Sequence, residues 1–115
     1  MELTIREKAF IRMLSRQKEA PSYRKDIEAH LGVDDRTVRK MVERLRNKGF
    51  TIIAVTGDNV GGYYIPNNDQ DMREGFIKRK NRIEREYNVF KNMTSDLDAL
   101  NKIIDTALGK GGDNE

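Results

Sequence analysis

Residues 32–50 read GVDDRTVRKMVERLRNKGF, and their spacing sets the expectation for the fold. Val38, Met41 or Val42, and Leu45 recur at three- and four-residue intervals, as on one stripe of an α-helix. Gly32 can stop a preceding helix in positive φ, Asp34 or Asp35 can cap the new one, and Gly49 can end it. The stretch carries six cations, Arg36, Arg39, Lys40, Arg44, Arg46 and Lys48, against three acids, Asp34, Asp35 and Glu43. With the apolar stripe turned inward, residues 36, 37, 39, 40, 43 and 44 fall on the outer side at about 100° per residue.

Upstream, Leu3, Ile5, Ala9, Phe10, Met13 and Leu14 have the spacing of one helix face ending near Arg16. RQKEAPS reads as a loop. Ser22 is then placed to cap a short helix that turns Ile27, Ala29 and Leu31 inward. Downstream the period changes. FTIIAVT is rich in β-branched residues, GDNVGG is a turn cluster, and YYI stops at Pro66, which together predict a β-hairpin. The order is helix, helix, turn, helix, hairpin.

The bulk composition narrows the function. The chain has 115 residues and no cysteine, which excludes disulfides, thiol catalysis and thiolate metal sites. No apolar run reaches the roughly 20 residues that cross a membrane, and the opening residues lack a signal peptide. A cytoplasmic protein is expected. Residues 1–66 hold 13 Lys and Arg against 9 Asp and Glu, whereas residues 67–115 hold 9 against 10. The basic excess sits with the helical core, as for a local polyanion-binding face. His30 has no histidine or cysteine partner for a metal. The Asp34–Asp35 and Asp96/Asp98 pairs sit where helix caps belong. No nucleophile has a base, so neither an enzyme nor a cofactor is expected.

Tyr23 to Ile65 resembles the winged helix-turn-helix domain of the biotin operon repressor type. The likeness rests on Leu31-Gly32, the polar cap at Asp34 or Asp35, Thr37-Val38, Leu45, Gly49, Ile52-Ile53, and Gly62-Tyr63 with Ile65. That family often has Ser where this chain has Asp34. The chain leaves no room for the repressor's ligase domain, so biotin chemistry is not carried over. The expected fold is mainly α with a small β-hairpin: a winged helix-turn-helix over 1–66, a helical extension over 67–108, and a disordered tail over 109–115.

The resemblance implies binding of double-stranded DNA, with the helix at 35–48 in the major groove, where base edges are distinguishable. Arg36, Thr37, Arg39 and Lys40 are assigned to the groove. Arg44, Tyr23, Arg24 and Lys25 are assigned to backbone phosphate, and Asn59 to a secondary contact from the wing. The wing loop carries Asp58 and no cation, so the helix should dominate. A plain solvated basic face is the alternative on charge alone.

Beyond residue 67, Phe76, Ile83, Phe90, Leu97 and Ile104 fall seven apart, a heptad-like seam. It is expected either to form a coiled-coil homodimer through residues 76–104 or to pack back on the core. A start signal at Ser95-x-x-Asp98 allows a break near Thr94. KRKNRIER, residues 78–85, is either a solvated face or a second phosphate strip. The leading expectation is a dimeric, sequence-specific transcriptional regulator. The alternatives are a phage- or plasmid-type replication or architectural protein, with a protein partner on the C-terminal helix, and a winged helix used only for protein contact.

Overall fold

The computed structural model describes residues 1–56 and 61–109. The turn expected at GDNVGG falls mostly outside them, as does most of the expected disordered tail. Backbone contacts divide the chain into two compact units, Met1–Lys78 and the residues from Arg79 onward.

In the first unit, α1 (Ile5–Met13) starts on a capping box: Glu7 N–H donates to Thr4 Oγ1 (3.0 Å) and Thr4 N–H to Glu7 Oε1 (2.9 Å). The helix ends at Met13 with Leu14 as its C-cap, short of the expected Arg16, because Ser15 is claimed elsewhere. Ser15 N–H donates to Ser22 Oγ (2.8 Å), and Ser15 O accepts from Ile65 N–H (2.9 Å). The inward face is Glu7, Phe10 and Leu14, while Ile5, expected inside, is 88% exposed.

Ser22 is not the cap of the second helix. It forms, with Tyr23, the two-residue strand β1 (Ser22–Tyr23), and its hydroxyl donates to Met13 O at 2.8 Å. Helix α2 (Arg24–Leu31) follows with Tyr23 at its N-cap and no side-chain cap bond, and Gly32 closes it at φ 66°. Ile27 is buried and Leu31 half-buried, but Ala29 faces outward. Helix α3 (Asp35–Asn47) is capped by Asp34, whose Oδ1 accepts from Thr37 N–H at 2.9 Å. Gly49, at φ 103°, turns the chain out of it.

Strands β2 (Ile53–Val55) and β3 (Gly62–Tyr64) pair antiparallel, with Ile53 opposite Tyr64 and Val55 opposite Gly62. The expected hairpin is thus present, but β3 also pairs with β1, giving a three-stranded sheet in the order β1-β3-β2. Glycine is required at position 62 by close approach, since a Cβ there would stand 2.7 Å from Ser22 O. The core is Phe10, Leu14, Ile27, Val38, Met41, Val42, Leu45 and Ile52, with Phe50 packed against it.

Helix α4 (Asp69–Asn92) opens in the first unit, where Gly75 is its buried residue. A Cβ at Gly75 would lie 2.8 Å from Ile53 Cδ1 and 2.9 Å from Cγ1. The side chain missing from the helix is what lets it lie on β2. Lys18 Nζ, 3.2 Å from Glu74 Oε1, ties the loop after α1 to the same turns.

In the second unit, α4 ends at Asn92 and α5 (Leu97–Ala107) begins after Asp96, whose side chain caps it by accepting from Asp98 N–H. The expected seam is therefore carried by two helices and is not one continuous heptad run. Ile83, Tyr87, Phe90, Leu97, Leu100 and Ile104 are all exposed in the single chain. Lys80–Glu84 and Arg82–Glu86 form i,i+4 ion pairs at 3.3 and 3.5 Å, exposed and thus individually weak. Among the described residues, no helix is long and apolar enough to cross a membrane.

The contact at Gly75 sets a sign. Gly75→Ala gains about 1 kcal/mol of helix propensity and loses about 1–3 kcal/mol to overpacking against Ile53. A net loss of about 1 kcal/mol is expected in urea denaturation, on the difference of those two effects. A net gain would show that α4 is not seated on the sheet.

Candidate nucleic-acid interface

Helix α3 has two faces fixed by burial. Val38, Met41 and Leu45 are fully buried and Val42 almost so. Arg36, Arg39, Lys40, Glu43 and Arg44 are consequently exposed, and Thr37 is half-buried. Glu43 lies among the cations, so the face is not purely basic.

The cations differ in what already holds them. Among the described residues, Arg36, Lys40 and Lys25 have no hydrogen bond or ion pair from their side chains. Arg39 Nη2 donates to Asp35 Oδ2, one helical turn back. Arg24 Nε lies 3.3 Å from Asp35 Oδ1 and 3.5 Å from Glu28 Oε2. Arg44 Nε lies 3.5 Å from Glu7 Oε2. Tyr23 is exposed on β1, beside Arg24. Thr37 is occupied by the Asp34 cap, and its hydrogen bonds hold the Asp34 carboxyl below the usual carboxylate range. Asn59 lies outside the described residues.

Two of the six cations in the opening stretch are structural. Arg46 donates from Nε and Nη2 to Ile52 O at 3.0 and 2.8 Å, tying α3 to the segment before β2. Lys48 Nζ donates to Glu7 Oε1 and to Glu2 O, each at 3.0 Å. These bonds place Arg46 and Lys48 in the scaffold that supports the exposed face.

Glu7 is a buried acid that the apolar pattern does not reveal. Its side chain is 1% exposed, yet it carries a carboxylate. Burial alone disfavours the charge. The Thr4 backbone N–H, then the Lys48 hydrogen bond, more than offset this and lower its pKa, with Arg44 contributing less. The carboxylate joins the first turn of α1 to the last turns of α3. The pattern Thr4-x-x-Glu7, a capping box, is the sequence signal that could have found it. From the sequence, Asp35 reads as an alternative cap for α3. Its pairing across to α2 has no signature in the sequence.

Half-buried Tyr63 of β3 lies near the same cluster. Burial chiefly raises its phenol pKa, Asp35 raises it further, and Arg46, Arg39 and Arg24 oppose. The Asp35 flank of α3 therefore meets α2 through Arg24, and its Arg44–Lys48 flank meets α1 through Glu7. An open cleft lined by Arg6, Lys25, Glu28, Asp34 and Thr37 mixes both signs of charge.

A family model described as a helix-turn-helix (HTH) domain matches residues 6–64, just over half of the chain. The chain belongs to this helix-turn-helix family. The match spans α1 through β3, so the three helices and the sheet together make up the family's unit. Comparison with curated proteins and with solved structures returned no match. Membership in the HTH family supports a DNA-binding regulator in general terms.

Glu7 predicts a pH dependence. A carboxyl with a lowered pKa contributes stability that is present above its ordinary value of 4.5 and lost as pH falls through the lowered one. Glu7→Gln should therefore be less stable at neutral pH and should show a shallower loss of stability in acid. Urea midpoints from neutral pH downward check this. Equal acid slopes for the two proteins would remove Glu7 from the account.

Proposed function

We propose that this HTH protein is a sequence-specific, double-stranded DNA-binding transcriptional regulator that docks as a winged helix of the biotin operon repressor type. Helix α3 enters the major groove and two copies act together. The observation that carries this reading is the pair Arg36 and Lys40. They stand one turn apart on the outer face of α3, in its N-terminal half, exposed and without an ion pair among the described residues. That is the part of a second helix from which HTH proteins reach base edges.

Arg36 and Arg39 suit the two parallel hydrogen bonds that guanine accepts. Lys40 and Thr37 lie beside them. Lys25 at the start of α2, with Tyr23 and Arg24, fits the phosphate backbone, as does Arg44 on the other flank. The protein positions and reads DNA and performs no chemistry on it. Asn59, in the wing, is a secondary contact in this proposal.

Pairing is supported by the second unit. Ile83, Tyr87 and Phe90 on α4, and Leu97, Leu100 and Ile104 on α5, leave large apolar surface in water. Covering such a side chain fully is worth about 1.5–3 kcal/mol, and a second copy supplies a matching set. Two docked helices read a longer site than one.

Selection from a random duplex pool should enrich an inverted repeat. Arg36→Ala should then weaken binding to the selected site by about 1–3 kcal/mol and relax preference at one base position. Enrichment of no sequence, or full affinity in Arg36→Ala, would contradict the docking. Sedimentation of the intact chain should show a dimer that Leu100→Asp with Ile104→Asp converts to monomer. A wild type that is monomeric throughout would rule out pairing.

A further inference from the structure

The cluster between α2 and α3 has a feature that simple capping does not explain. Asp35 is the first residue of α3 and divides its two oxygens between two arginines from different helices. Oδ2 accepts from Arg39 Nη2, and Oδ1 faces Arg24 Nε at 3.3 Å. Arg24 Nε and Asp35 Oδ1 are both buried, and neither has a hydrogen-bond partner among the described residues. The pair is close enough to attract but misaligned for a hydrogen bond. Buried polar atoms left this way are costly, so the cluster is held by the surrounding fold rather than by its own best geometry. Arg39 itself remains 70% exposed on its side chain. Its guanidinium has five N–H donors, and Asp35 engages one nitrogen, leaving an edge free.

We propose that Asp35 is a specificity-determining positioning residue. It holds Arg39 in one rotamer for base reading and keeps it from binding phosphate indiscriminately, while Arg24 is shared between Asp35 and Glu28. This rests on the DNA-binding reading given above. A carboxylate beside the groove-facing arginines repels phosphate at every sequence alike. A base edge that fits the preset guanidinium is the contact that still forms well. Asp35 therefore lowers affinity for random duplex more than affinity for the correct site. Discrimination comes from a repulsive element as well as an attractive one.

The test compares wild type, Asp35→Asn, Asp35→Glu and Glu43→Gln on the selected site and on random duplex, across a salt series. Glu43→Gln makes the same change of charge on the same exposed face, at a residue with no arginine in ion-pair contact among the described residues. Asp35→Asn should bind random duplex roughly five- to tenfold more tightly. Its salt slope should steepen by about one for each phosphate contact that a released arginine gains. Its ratio of selected-site to random affinity should fall, with relaxed preference at the base Arg39 reads. Asp35→Glu should recover part of that ratio. Glu43→Gln should shift both affinities by a similar factor and leave the ratio unchanged.

Thermal melting of Asp35→Asn, in which Asp34 still caps α3, checks that the variant is folded. If it is not, Asp35→Ser takes its place in the same comparison. An Asp35 variant that behaves like Glu43→Gln, with its ratio intact, overturns the positioning role while DNA binding stands. A wild type without salt-dependent duplex binding overturns the DNA-binding reading, and this inference with it.

Discussion

The burial of one stripe of α3 governs the rest of the structure. Val38, Met41, Val42 and Leu45 fill the space among Phe10, Leu14, Ile27 and Ile52. A helix whose apolar stripe is locked in this way has no rotational freedom. Turning it by one residue, about 100°, would drive a guanidinium into the core, where an unpaired charge is prohibitive. Hydrophobic packing therefore determines where Arg36, Arg39 and Lys40 point, although it never touches their charges.

Electrostatics adjusts what packing has oriented. Glu7, inside the fold, gathers Arg44 and Lys48 at one end of α3, and Asp35 gathers Arg24 and Arg39 at the other. Between them Arg36 and Lys40 have no such pairing among the described residues. The outer face is thus graded. Its flanks are tied to α1 and to α2, while its middle carries no ion pair among the described residues.

The elements legible in the sequence are those whose cause is local. Gly32, Asp34 and Gly49 announce the ends of α2 and α3 because capping and positive φ involve only near neighbours. The α3 stripe is legible because its period is regular. The break between α4 and α5 falls at the start signal Ser95-x-x-Asp98, although Asp96 rather than Ser95 is the cap. What sequence patterns missed depends on distant partners. Strand β1 has two residues and no alternation to detect, and it exists because Gly62 admits Ser22 and Tyr23 closely. The local capping box could reveal Glu7 at a helix start, but its burial rests on Lys48, forty-one positions away. Gly75 looks like a weak point in a helix until Ile53 is found beneath it. Asp35 and Arg24 are eleven positions apart, and only the turn between α2 and α3 brings them together.

The most direct test of the central claim is amide shift mapping of the intact protein as duplex DNA is added. Packing that presents α3 outward predicts the largest amide changes within residues 36–44, with smaller ones at Tyr23 to Lys25. Changes confined to α4 and α5, with residues 36–44 silent at saturating duplex, would contradict it.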